Sequence, residues 1–126
     1  MVAGLIKATV YVQIQKNQFD MKYIEEDKST SLTAFPSFST QRMLIGEYSV
    51  AEHLFKKGVK ELIGSVWIPP MFRIIMQPME LTDGGLCQVE ERILHQLASS
   101  MQPRTIKIHI GDLLGDEDVL TLCEIK

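Results

Sequence analysis

The chain opens with alternation of period two. Ala8 to Gln15 (ATVYVQIQ) places Val10, Val12 and Ile14 on one face and polar or small residues on the other, the pattern of a β-strand. Lys16-Asn17-Gln18 reads as a tight turn, and Phe19 to Glu25 resumes the alternation with Phe19, Met21 and Tyr23 on one side. Two such runs around a short polar turn predict an antiparallel hairpin. Polar Glu26 to Ser31 predicts a second turn, and Leu32 to Phe38 a third strand, at a sheet edge because Pro36 cannot donate to a ladder. The period then changes. Ala51, Leu54, Phe55, Val59, Leu62 and Ile63 recur at helical spacing. Ser49 with Glu52 three residues on has the form of a capping box, and Gly64 is a natural stop. Gly58 costs such a helix about 1 kcal/mol relative to Ala, which close packing on a sheet would offset.

Ser65 to Met71 reads as a loop. Phe72 to Met79 (FRIIMQPM) is apolar nearly throughout, as in a strand covered on both faces. Thr82-Asp83-Gly84-Gly85 breaks the chain. A second helix follows from Leu86 to Met101, with Leu86, Val89, Ile93, Leu97 and Met101 in one stripe, and Pro103 ends it. Thr105 to Ile110 (TIKIHI) is a last strand, and Asp116 to Leu122 a short helix. The order β-β-β-α-β-α-β predicts an α/β fold. A hairpin followed by helical crossovers gives a mixed five-stranded sheet with helices packed on it, in one domain spanning residues 1–126.

That order is shared by the ribonuclease-H-like core of actin-type ATPases, and four stretches sharpen the likeness. Ile45-Gly46-Glu47-Tyr48-Ser49-Val50-Ala51-Glu52-His53-Leu54 is similar to Ile-Ala-Asp-Phe-x-Val-Thr-Glu-x-Met of the MreB-type bacterial actins, which leads into a helix. Phe72-Arg73-Ile74-Ile75-Met76-Gln77-Pro78 resembles their next buried strand, and Cys87-Gln88-Val89-Glu90-Glu91-Arg92-Ile93 resembles Thr-Gln-Val-Glu-Arg-Arg-Ala at the following helix start. Arg104 to Ile110 resembles Arg-Glu-Val-Phe-Leu-Ile-Glu of the last strand. Order and spacing agree from Arg42 to Asp112. The resemblance implies a single actin-like subdomain of ribonuclease-H-like fold. Its departures imply loss of ATP chemistry. The family's Asp-Leu-Gly-Thr phosphate loop falls near Gln13-Ile14-Gln15-Lys16, which has neither Asp nor Gly. Long side chains there crowd a phosphate that would be held by backbone N–H groups. The second lobe of the actin cleft is expected to be missing, and with it the clamp that positions a nucleotide. No cofactor and no catalytic residue are therefore expected. The role implied is a non-catalytic interaction module in cell shape, division or envelope assembly, with a protein partner or a second copy covering the surface that faces the other lobe.

Composition narrows the alternatives. Net charge of -3 leaves no footprint for nucleic acid. No apolar run reaches the roughly 20 residues of a transmembrane helix, and the N-terminus has no signal-peptide pattern. Cys87 and Cys123 are then expected to be reduced thiols in the cytoplasm, with peripheral attachment to an envelope complex as the membrane link. Cys87, Glu91 and His95 share a helical face, but His53, His95, His109 and the cysteines lack zinc spacing, so packing and a Glu91–His95 surface pair explain them. Cys87 at a helix start and Gly84-Gly85 before it are explained by packing and a tight turn. The candidate contact residues are Trp67, Ile68, Pro69, Pro70 and Met71, an apolar loop that its Pro-Pro pair keeps at the surface, and the basic helical edge Lys56, Lys57 and Lys60. Two other readings stand beside this one. A residual nucleotide-binding protein would use Asp112 and Asp20. An α/β regulatory domain of anti-sigma-antagonist type would be phosphorylated at Ser49.

Overall fold

The structure is a computed structural model, and it describes residues 7–35, 39, 45–64, 71–80 and 87–124. Five strands form one sheet in the order β3-β2-β1-β4-β5. β1 (Lys7–Gln15) pairs antiparallel with β2 (Gln18–Tyr23), which pairs antiparallel with β3 (Lys28–Thr33). On its other side β1 runs parallel to β4 (Met71–Pro78), and β4 runs parallel to β5 (Thr105–Ile108). The expected α/β class and mixed five-stranded sheet are present. Three helices accompany the sheet: α1 (Tyr48–Ile63), α2 (Gln88–Ser99) and α3 (Asp116–Glu124).

Local chemistry explains the turns. Asn17 (φ 57°) and Asp27 (φ 51°) both take the left-handed conformation, which short polar side chains tolerate better than most. Asp27 closes a single 3-10 turn at Ile24–Glu26, so the chain reverses sooner than its polar run suggests. Lys28 already pairs with Tyr23, and β3 occupies the residues expected to be a turn. Pro36 lies outside the described residues.

α1 and α2 pack on one face of the sheet, α1 over β2 and β3, and α2 beside β4 and β5. This face is apolar. Val10, Val12, Ile14, Phe19, Met21, Phe72, Ile74 and Met76 meet Phe55, Val59, Leu94 and Leu97, with Phe19 and Phe55 edge to face at 5.9 Å. α1 starts at Tyr48, not at a Ser49 cap. Glu47 holds the cap position without a side-chain hydrogen bond, and Ser49 is exposed within the first turn. Tyr48 packs against the core, and such an anchor outweighs a cap worth about 1 kcal/mol. Burial, with Glu52 one turn on, pushes the Tyr48 hydroxyl up to about 12. Gly64 (φ 92°) ends the helix as expected. In α2 the buried residues are Leu94, Leu97 and Ala98, with Met101 buried just beyond its end. Val89 is exposed, because at 3.6 residues per turn it points about 140° away from Leu94. Leu86 lies outside the described residues.

Gly58 lets α1 approach the sheet closely. A Cβ there would stand 2.6 Å from Met21 Sδ and 2.8 Å from Leu32 Cδ1. Gly58→Val should lower the unfolding free energy by about 2 to 3 kcal/mol through overpacking. Gly58→Ala should cost less, since helix propensity returns about 1 kcal/mol. Urea denaturation measures both, with exposed Lys57→Ala expected within about 0.5 kcal/mol of the parent.

Candidate functional site

The opposite face of the central strands is polar and buried together. The register pairs Thr9 with Arg73, Tyr11 with Ile75, and Gln13 with Gln77. Thr9, Arg73 and Gln77 are each no more than 2% exposed. α3 closes over this face, setting Val119 and Cys123 against Tyr11, Ile24 and Ile75 in a second, smaller core. A buried polar group without a partner is costly, so its bonding determines what the site can do.

Arg73 is bound on three sides. Its Nη2 donates to Thr9 Oγ1 at 2.8 Å and its Nη1 to Glu124 Oε1 at 2.6 Å, while Glu25 Oε2 lies 3.7 Å from Nη2. Thr9 completes the cluster by donating its N–H and hydroxyl to the two oxygens of Glu25, at 2.6 and 2.7 Å. The guanidinium thus ties β1, β4, the 3-10 turn and α3 together. Its hydrogen bond and charge, helped by Lys7, hold the Glu124 carboxyl below the usual carboxylate range. Burial pushes the Cys123 thiol up, the opposite of activation for nucleophilic work.

The second group sits at the C-terminal end of β4. The Tyr11 hydroxyl donates to Gln77 Oε1, and Gln77 Nε2 donates to the carbonyls of Gly111 at 2.9 Å and Asp112 at 3.3 Å. The Tyr11 oxygen in turn accepts the Leu114 N–H at 3.2 Å. These bonds fasten the turn after β5 to the centre of the sheet. Beside it an open groove of about 570 Å³ runs past Gln13, Asp20, Lys22, Ser29, Ser31, Leu114 and Asp116. Lys22 is held there by Asp116 at 3.0 Å and Asp27 at 3.3 Å, which raises its pKa.

The turn between β1 and β2 is bonded from within the chain. The Lys16 N–H donates to Glu80 Oε2 at 2.8 Å, and the Asn17 N–H to Ser39 Oγ at 3.0 Å. Asp20 Oδ1 accepts from Ser31 at 2.5 Å and from Gln18 at 2.9 Å. Asp20 and Asp116 line the groove, but Asp112 does not, so the groove does not unite the two carboxylates of the nucleotide-binding reading. Among the described residues no three His, Cys, Asp or Glu side chains are placed to hold a metal ion.

The sequence-derived contact residues fall in two places. Trp67, Ile68, Pro69 and Pro70 lie outside the described residues. Met71 begins β4, half-buried, and its sulfur accepts from Arg104 Nη1 at 3.2 Å. Lys56, Lys57 and Lys60 share the solvent side of α1 with His53 and Glu61 around an open hollow of about 560 Å³. Lys56 pairs with Glu52 at 3.7 Å. Cys87 is exposed and caps α2, with Glu90 Oε1 accepting its backbone N–H at 3.1 Å. The Arg73 and Gln77 networks were missed in the sequence, although the signal was there. Within FRIIMQPM, Arg73 and Gln77 fall on the same side of the strand as Ile75, opposite Phe72, Ile74 and Met76, which places two polar side chains on one buried face without naming their partners.

Fold and site together define an α/β protein with a mixed five-stranded sheet, helices on both faces, and buried polar networks around Arg73 and Gln77. No protein-family model matches the chain. It is similar to the Escherichia coli (strain K12) protein called "Uncharacterized protein YjaA", 35% identical over 128 residues, an alignment covering 94% of this chain and 99% of that protein. The chain belongs to the YjaA family. Among the described residues no helix is long and apolar enough to cross a membrane.

Gln77→Ala should cost about 2 kcal/mol by leaving buried partners unsatisfied. It should also speed hydrogen exchange at the Leu114 amide, read by mass spectrometry or NMR. For Glu124 the folded pKa is depressed, so its contribution is complete above the unfolded value near 4.3 and is lost as pH falls through the lowered one. Urea midpoints should therefore fall on acidification in the parent, and fall less in Glu124→Gln.

Proposed function

We propose that the chain is a non-catalytic interaction module with the scaffold of a ribonuclease-H-like, MreB-related actin subdomain, working through protein contacts in the cytoplasm in cell shape, division or envelope assembly. The order of elements and the mixed sheet, with its hairpin start and parallel crossover strands, support the scaffold reading. One observation carries the non-catalytic part. At the hairpin where a phosphate loop would offer free backbone N–H groups, Lys16 and Asn17 give theirs to Glu80 and Ser39. A triphosphate would have to displace a carboxylate that already fills the donor position and repels it.

Gln77 supports the same reading. In a carboxylate-based phosphoryl-transfer site the ends of the central strands present anionic oxygens to a metal. Here the end of β4 presents a neutral amide whose oxygen and nitrogen are both bonded to the protein. Isothermal titration with Mg–ATP should give no binding tighter than about 100 μM, beyond roughly -5 kcal/mol. Tighter binding would overturn this reading in favour of a residual nucleotide-binding protein.

A further inference from the structure

Two aliphatic side chains stand out from the turn between β5 and α3. Ile110 is 42% exposed and Leu113 62%. Isolated apolar side chains at a surface are ordinary, but this pair sits on backbone held from below. Gln77 binds the carbonyls of Gly111 and Asp112, Tyr11 binds the Leu114 N–H, and His109 Nε2 lies 2.9 Å from the Asp112 carbonyl oxygen. Leu114 turns inward onto the second core, which leaves its neighbour Leu113 facing out. A ridge already ordered in this way loses little entropy when a partner covers it.

The surroundings of the ridge are acidic. Asp112, Asp116, Glu117 and Asp118 are exposed, and the sequence has no Lys or Arg between Lys107 and Lys126. The adjoining groove adds Asp20, and its lysine, Lys22, is already paired with Asp27 and Asp116. We propose that the ridge formed by Ile110 and Leu113 docks a cationic amphipathic helix of a partner protein. The helix's apolar stripe covers the two side chains, and its Lys or Arg flank faces Asp112, Glu117 and Asp118. Charge decides among occupants. A second copy related by a two-fold axis would bring the same acidic turn against itself, and an anionic lipid surface would be repelled. This rests on the reading of the chain as an interaction module and names the chemistry of its partner.

The probe is a fluorescein-labelled Lys/Leu peptide of about 18 residues, long enough to be helical, with its leucines in one stripe. The control has the same residues reordered so that the leucines are spread around the helix. Fluorescence anisotropy with the intact protein should show the striped peptide binding at least about tenfold tighter than the control. Ile110→Ser combined with Leu113→Ser should weaken the striped peptide about tenfold. Asp112→Asn combined with Glu117→Gln should weaken it about threefold and flatten its salt dependence. All these side chains are exposed, so thermal unfolding should match the parent. Equal binding of the two peptides, or a double-serine variant within about twofold of the parent, would overturn the proposal. Either result, beside a flat Mg–ATP titration, removes this docking surface and leaves the functional reading standing. Tight Mg–ATP binding strikes that reading in its own titration.

Discussion

β1 and β4 lie side by side in the middle of the sheet and are covered on both faces over most of their length, so the buried polar groups they carry must find partners inside the protein. On the α1 and α2 side this is met by having no polar side chains in the central strands. On the α3 side it is met by pairing. Thr9 and Arg73 sit opposite each other in the ladder, as do Gln13 and Gln77, and the buried groups among them are satisfied by residues from elsewhere in the chain. Glu25 comes from the turn after β2, Glu124 from the last turn of α3, and the carbonyls of Gly111 and Asp112 from the turn after β5. The outer layer is therefore placed by the bonding needs of two central strands as well as by apolar packing.

The two faces do different mechanical work. The α1 and α2 face is a large apolar core in which Gly58 lets a helix backbone approach Met21 and Leu32. Such a core tolerates small volume changes at a graded cost. The α3 face has a small core and two hydrogen-bonded clusters. These are geometrically demanding, because removing one partner leaves the other buried and unpaired. Ion pairing at its ends is different again. Lys22 with Asp116 and Lys7 with Glu124 are partly exposed, so solvent screens them, and they guide α3 more than they hold it.

Much of this architecture was legible in the chain. The alternation in ATVYVQIQ places Val10, Val12 and Ile14 on the α1 and α2 face of β1, although Thr9 and Tyr11 on the other face are buried as well, and Phe19, Met21 and Tyr23 mark the buried face of β2. Period alone could not see the start of β3, because one residue in the left-handed conformation, Asp27, made the turn shorter than its polar run. Nor could it place the start of α1, where tertiary packing of Tyr48 prevailed over a serviceable serine cap. Val89 failed for a related reason. Leu97 and Met101 of the expected stripe are buried and Ile93 packs against the core, but Val89 at the helix start is left in solvent. The site was less legible than the fold. Arg73 and Gln77 sit in a run whose dominant signal is burial, and their partners are 51 and 34 residues away in sequence, at Glu124 and Gly111. Nothing local announces such pairs.

The polar face also connects scaffold to surface. A glutamine at the end of a central strand has two hydrogen-bonding ends, and in this chain one is taken by Tyr11 and the other by the turn that follows β5. A carboxylate at the same place could accept but not donate, so it could not hold those two carbonyls; it would meet them with like polarity and call for a cation between them. The amide makes no such demand, and the strand end holds backbone. At the hairpin Glu80 plays a comparable part, accepting the Lys16 N–H with a carboxylate that belongs to the chain. Gln77 and Glu80 thus both satisfy backbone and side-chain groups of the chain itself. The turn that Gln77 and Tyr11 hold in place carries Ile110 and Leu113 at the outer surface, so the bonding needs of a central strand end also fix the shape of an exposed turn.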